Sequence, residues 1–213
     1  MERSAVLHAF LASLADAFGP DDVAAESAGP LARVYDALER PGGAGHPAAH
    51  RLPVCRHLDD ALARARAVSP SMARVADALA ALEPLLRWWP RPSGGPSASD
   101  NWPDGHANAT IVGPGGLEYR EDLTIGVSLL APHVRYPDHN HRPEEVYFVL
   151  SPGRFQHGDS SWVEPGIGGT FHNPPDIRHA MASDEAPLLA AWCLWNGEPG
   201  PVGPGTSSPS RRL

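Results

Sequence analysis

The stretch YPDHNHRPEEVYFVLSPG, residues 136–153, sets His139 and His141 one residue apart, then Glu144 and Glu145, then Tyr147. Two imidazoles and a carboxylate are borderline ligands. They suit a divalent transition metal (Zn, Fe, Mn, Ni or Co) and suit Ca or Mg poorly. Such a site wants a third nitrogen, and GTFHNPPDIRHAM (169–181) offers His172 and His179. His179 is the preferred ligand, because Pro174-Pro175-Asp176 is a rigid turn that delivers an imidazole to the start of a strand.

The positions must be held by strands. His139 and His141 share parity and leave one face of an extended chain. Arg142-Pro143-Glu144 reads as a turn, since proline disfavours a central strand. A strand starting near Glu145 then sends Glu145, Tyr147 and Val149 one way and Val146, Phe148 and Leu150 the other. The second set is wholly apolar and packs a core, while the first presents a carboxylate and a phenol.

Beyond residue 100, ATIVGPGG, LTIGVSLLAPHVRY, VYFVLS and LLAAWCLW are short β-branched or aromatic runs cut by Gly, Pro and Asp turns. That is the pattern of an antiparallel sandwich or barrel. The first ninety residues read differently. Leu7, Leu11, Leu14 and Phe18 recur at helical spacing, with Ser4 as N-cap and Gly19-Pro20 as stop. Pro30 is expected at a first helical position, ahead of Leu31, Val34, Tyr35 and Leu38. A third helix is expected from His57 to Val68, and Met72, Val75, Leu79 and Leu82 mark a fourth that Pro84 ends or kinks. The expected organisation is a helical region over 1–95, a barrel over 96–198 that begins within the Pro/Gly/Ser segment PRPSGGPSASD, and a disordered tail over 199–213.

Composition narrows the function classes. A formal net charge of −8 in 213 residues argues against a chain built to coat nucleic acid or an anionic membrane. All 17 basic residues are arginines, which excludes a Schiff-base lysine and a P-loop. Cys55 and Cys193 stand far apart, as reduced buried thiols do. No apolar run is long enough to span a membrane, and a signal peptide is not evident, so a cytoplasmic protein is expected.

His139-x-His141-xxx-Glu145 with Gly153 closing, followed by Pro174-x-Asp176-xx-His179, resembles the double motif of the cupins. It departs in having Asp176 where a glycine often stands. The resemblance implies a mainly β, jelly-roll-like barrel holding one metal ion, here preceded by an α-helical region. LLAPHVRYPDHNHRPEEVYFVLSPG together with RHAM is further similar to the cupin-type dimethylsulfoniopropionate lyases, on Tyr136, His139, His141, Glu145, Tyr147 and His179. The likeness covers roughly residues 95 to 197 well.

That resemblance implies a β-elimination giving dimethyl sulfide, acrylate and a proton from a small sulfonium carboxylate. It implies His139, His141, Glu145 and His179 as metal ligands and Tyr147 as general base. Tyr136 stands in reserve as base, or orients the substrate carboxylate. A sulfonium cation wants an aromatic wall. Trp192 and Trp195 have opposite parity on the late strand, and Trp195 is the one expected to face the substrate. Another metal-dependent cupin enzyme, such as a sugar isomerase, and a non-catalytic ligand-binding cupin are the competing readings. The helical half is open to two roles, pairing protomers as a homodimer or covering the barrel.

Overall fold

The computed structural model describes residues 3–18 and 23–197. The expected disordered tail and the Gly19-Pro20 stop lie outside them. Helix α1 (Ala5–Ala17) starts where expected, with Ser4 Oγ accepting from Leu7 N–H at 3.4 Å. Helix α2 runs Ala25–Leu38. A 3-10 turn (Pro53–His57) leads into α3 (Leu58–Arg66), and α4 (Pro70–Leu82) carries Ser69 as a capping side chain with Pro70 in its first turn. A second 3-10 turn, Glu83–Leu85, ends α4 at Pro84 as expected.

Pro30 corrects the expectation for α2: it sits inside the helix, five residues past its start. The missing N–H costs one helical bond. Tertiary packing offsets that loss, because α2 lies against the β-sheet and buries Leu31, Val34 and Leu38 there.

The strands are β1 (Gly43–Ala44), β2 (Trp88–Trp89), β3 (His106–Val112), β4 (Glu118–Tyr119), β5 (Leu123–Leu130) and β6 (Arg135–His139). They continue as β7 (Glu144–Val149), β8 (Arg154–His157), β9 (Thr170–Asn173), β10 (His179–Ala182) and β11 (Leu188–Trp195), and a short helix α5 (Trp102–Gly105) precedes β3. The larger sheet orders β1-β4-β3-β5-β11-β7-β9, with β2 on β3, and the smaller orders β6-β10-β8. All pairings are antiparallel except β3 with β4. Two facing sheets after a helical region make the expected mainly β, cupin-like jelly roll.

The large sheet divides two apolar cores. Val146, Phe148, Leu150, Leu189, Ala191 and Cys193 join Phe10, Leu14 and Leu79 of the helices. Tyr147, Val149, Leu188, Ala190 and Trp192 point between the sheets with Tyr136, Phe155, Phe171 and Met181. The alternation read along β7 is therefore real, and both of its faces are covered. Gly126 is required here, because a Cβ would stand 2.2 Å from Cζ2 of the Trp192 indole that crosses over it. Segment 90–100 is tied to β6: Ser99 Oγ accepts from Arg135 N–H at 2.9 Å and Ser97 Oγ from Asp138 N–H at 2.8 Å.

Candidate active site

The register of the small sheet builds the first half of the site. His139 on β6 and His179 on β10 are cross-strand partners, and the ladder shifts just after His179. Their ring centroids are 4.1 Å apart, and His141, in the turn beyond β6, lies 4.9 Å from His179. The ligand nitrogens of the three histidines all fall within 4.8 Å of one another. From the opposite sheet, Glu145 of β7 brings Oε2 to 3.4 Å from His141 Nε2 and 3.2 Å from His179 Nε2. The four expected ligands thus converge between the two sheets.

The proline turn brings the two motifs together. Asp176 N–H donates to the His141 carbonyl at 2.9 Å. Asp176 has φ +60°, the left-handed region that aspartate enters more readily than most residues. The position therefore keeps the geometry a glycine would give.

Backbone carbonyls orient all three rings. His139 Nδ1 meets Pro137 O at 2.9 Å, His141 Nδ1 meets Pro143 O at 2.9 Å, and His179 Nδ1 meets Ile177 O at 3.0 Å. A carbonyl only accepts, so each Nδ1 carries the proton and each Nε2 turns a lone pair inward. His179 Nε2 is buried and has no hydrogen-bond partner, although the Glu145 carboxylate faces it. Converging lone pairs and a carboxylate, with no donor between them, fit a cation.

Burial, and then the neighbouring His179, push His139 down to about 3, so it stays a neutral donor. Burial alone would raise the Glu145 carboxyl, but the facing His141 and His179 imidazoles outweigh it and hold the group well below the usual carboxylate range. Asn173 Nδ2 also donates to Glu145 Oε2 at 3.0 Å. Burial works to lower His141, yet Glu145 prevails and raises it.

Both tyrosines border the cluster. The Tyr147 ring is 6.4 Å from His179 and the Tyr136 ring 5.2 Å from His139. Burial, followed by the Glu145 charge, pushes the Tyr147 phenol well above its ordinary value. Tyr136 is also raised by burial, against the opposing pull of its Asn108 hydrogen bond and of Arg91. Asn108 Nδ2 donates to Tyr136 Oη at 3.4 Å, Ser128 Oγ to Asn108 Oδ1 at 2.6 Å, and Trp192 Nε1 to Ser128 Oγ at 3.0 Å. A polar chain therefore runs across the interior wall to the tyrosine.

Trp195 corrects the expectation for the aromatic wall. It packs with the helix-facing core, and Trp192, of opposite parity, is the tryptophan that turns between the sheets. The pattern LLAAWCLW is apolar on both faces because helices cover the outer one, so alternation alone does not set its phase. His172 lies on the outer face too, where Nε2 meets Glu144 Oε1 at 2.9 Å and Arg33 of α2 pairs with the same carboxylate. It therefore stands outside the cluster that includes His179.

His106 carried no ligand spacing in the sequence, yet it is buried beside the site and stacks on Trp102 at 4.0 Å. Its neighbour Arg91 holds its guanidinium 5.8 Å from the Tyr136 ring centroid. Sequence reasoning missed both, because the contacts that join them to each other and to Tyr136 span long stretches of chain.

A family model described as dimethylsulfoniopropionate lyase matches residues 26–190. A curated relative from Cereibacter sphaeroides, provisionally named dimethylsulfoniopropionate lyase DddL, is 31% identical over 93 residues, which are 43% of this chain. That match spans 39% of the relative's length. Among solved structures, a chain from work on the DMSP lyases RdDddP and RnDddQII superposes with TM-score 0.67 at 22% identity, over 90% of this chain and 92% of its own. The DMSP lyase DddQ from Ruegeria pomeroyi DSS-3 gives TM-score 0.60 at 21% identity, over 79% and 90%. At those identities the structural likeness speaks for the fold.

Proposed function

The chain belongs to the dimethylsulfoniopropionate lyase family, and from that premise we propose that it cleaves dimethylsulfoniopropionate to dimethyl sulfide and acrylate by β-elimination. The observation that carries the reading is the convergence of three inward-facing Nε2 lone pairs and one buried carboxylate at a half-buried point flanked by two tyrosines.

His139, His141, Glu145 and His179 hold a divalent transition metal in this account, and when bound it supplies Lewis acidity towards the substrate carboxylate and a positive field that favours a nearby phenolate. Zn, Fe, Mn, Ni and Co all suit these ligands. The chain's residues do the rest. Tyr147, on the same strand face as Glu145, takes the proton from the carbon next to the carboxylate onto Oη. The electron pair of that C–H bond becomes the new double bond. The C–S bond breaks with its electrons passing to sulfur, which leaves as neutral dimethyl sulfide, so no separate acid is needed. Tyr136 orients the substrate through the Asn108–Ser128–Trp192 chain.

Burial of the site keeps water from the developing charge. Trp192, Phe155 and Phe171 offer aromatic surface to the sulfonium, each face worth roughly 0.5 to 2 kcal/mol. No described helix is long and apolar enough to cross a membrane. A sugar isomerase would want several polar groups around a hydroxylated substrate. The interior cluster of Tyr136, Tyr147, Phe155, Phe171 and Trp192 favours a small cation instead. Comparing Tyr147→Phe with Tyr136→Phe tests the assignment. Tyr147→Phe should keep its metal and lose most turnover, and Tyr136→Phe should mainly raise KM; the reverse pattern would move the base to Tyr136.

A further inference from the structure

Arg91 lies in the segment that joins the helical region to the barrel, outside every motif that carries the ligands. Its main chain is fixed from two sides. Just before it, β2 pairs with β3 through Trp88↔Ala109 and Trp89↔Asn108. Arg91 N–H then donates to His106 Nε2 at 2.8 Å. The His106 ring is itself locked, with Nδ1 donating to the Trp102 carbonyl at 2.6 Å and its plane within 8° of the Trp102 indole. This anchoring carries the guanidinium over the Tyr136 ring.

The charge it brings is uncompensated. Among the described residues no carboxylate forms an ion pair with Arg91; the same holds for Arg40, Arg56, Arg74, Arg87 and Arg142, but of these Arg91 is the one whose guanidinium stands over a ring bordering the ligand cluster. Its field reaches Tyr136 and Tyr147, which border the ligand cluster, and His139 within it. Arg91 is half-buried beside the ligand cluster, and a cation there without a counter-charge is stabilised when an anionic ligand supplies one. Arginine is also the side chain whose planar fork matches a carboxylate.

We propose that Arg91 is a substrate-binding residue: its guanidinium, fixed over Tyr136, receives the carboxylate end of a small zwitterion and leaves the cationic end to the aromatic wall. The inference rests on the lyase reading for the identity of that zwitterion. It sets the substrate's direction in the barrel, because a sulfonium placed at the Arg91 end would meet like charge. Selectivity for carboxylates over neutral isosteres follows.

The test uses the zinc-loaded chain and, separately, the same chain stripped by chelator, with acrylate binding followed by calorimetry. Acrylamide, which keeps the shape of acrylate without its charge, is the control. In Arg91→Gln, acrylate should bind at least roughly tenfold more weakly, the scale of one charge-assisted hydrogen bond. Acrylamide should bind wild type and variant alike. Arg91→Lys should recover part of the loss, and circular dichroism and zinc content should be those of wild type. Arg91→Gln should also raise KM for dimethylsulfoniopropionate far more than it lowers kcat. Acrylate binding unchanged by Arg91→Gln would overturn the proposal, and so would equal weakening of acrylate and acrylamide. Arg91-dependent acrylate binding in a protein that releases no dimethyl sulfide would uphold this site while removing the lyase reading.

Discussion

Phe148 and Tyr147 are neighbours on β7 that face opposite ways, and replacing each in turn should separate stability from chemistry. Phe148 is 1% exposed and meets Phe18 edge-on, with ring centroids 4.8 Å apart, in the layer between helices and sheet. Phe148→Ala removes a whole ring from a site walled by two rigid elements, so the cavity cannot collapse fully. The cost should be about 3–5 kcal/mol, which in a chain of this size lowers Tm by roughly 10 °C. The four side chains proposed as metal ligands lie across the sheet and are untouched, so zinc content and turnover at low temperature should hold. Tyr147→Phe keeps the ring against Phe155, at 5.2 Å, and removes only the hydroxyl. Its effect on stability should stay within about 1 kcal/mol, while loss of a general base should lower kcat by roughly 10²–10⁴. Differential scanning fluorimetry, metal analysis and a dimethyl sulfide assay on the two variants read all three quantities. A Tyr147→Phe protein with full turnover, or a Phe148→Ala protein that keeps its Tm but loses its metal, would refute this division of the strand.

His179→Ala and Glu145→Gln should each lower bound metal and turnover together, measured by metal analysis after gel filtration; full retention of metal in both would remove the ligand assignment. Trp192→Leu should raise KM, since it takes an aromatic face and the Ser128 contact from the interior, whereas Trp195→Leu should leave KM alone and act on stability; steady-state kinetics of the pair decides. Cys193 is buried and its thiol is pushed up to about 12, by burial first and Glu145 second. Iodoacetamide should therefore leave it unmodified in the native protein at pH 8 and label it in urea, as read by mass spectrometry. The same shift means the buried neutral thiol stabilises the fold fully below the unfolded value, roughly 8.5, and that this contribution fades as pH rises towards about 12.

Local chemistry was legible in the sequence. The His-x-His pair, the carboxylate four residues on and the β7 alternation needed only strand geometry, and the structure brings those side chains together as read. His179 was separable from His172 because its proline turn fixes where the strand starts. Long-range placement was not legible. The order expected for Trp195 over Trp192 comes out reversed, since β11 is covered on both sides and its apolar run has no polar face to set the phase. Pro30 looked like a helix start because propensity ignores the packing that holds α2 on the sheet. β8, β9 and β10 are only four residues each and gave no periodicity to read. Arg91 and His106 form their contact across 15 residues of chain, and no spacing rule reaches that pair.

The most direct measurement is headspace dimethyl sulfide, with acrylate quantified in the same vessel, from chelator-stripped protein reloaded in turn with Mn, Fe, Co, Ni or Zn. The account predicts no release from the stripped protein and equimolar dimethyl sulfide and acrylate once at least one metal is restored. Release that is unchanged by stripping would contradict the metal site, and silence from a folded protein loaded with each metal would contradict the lyase.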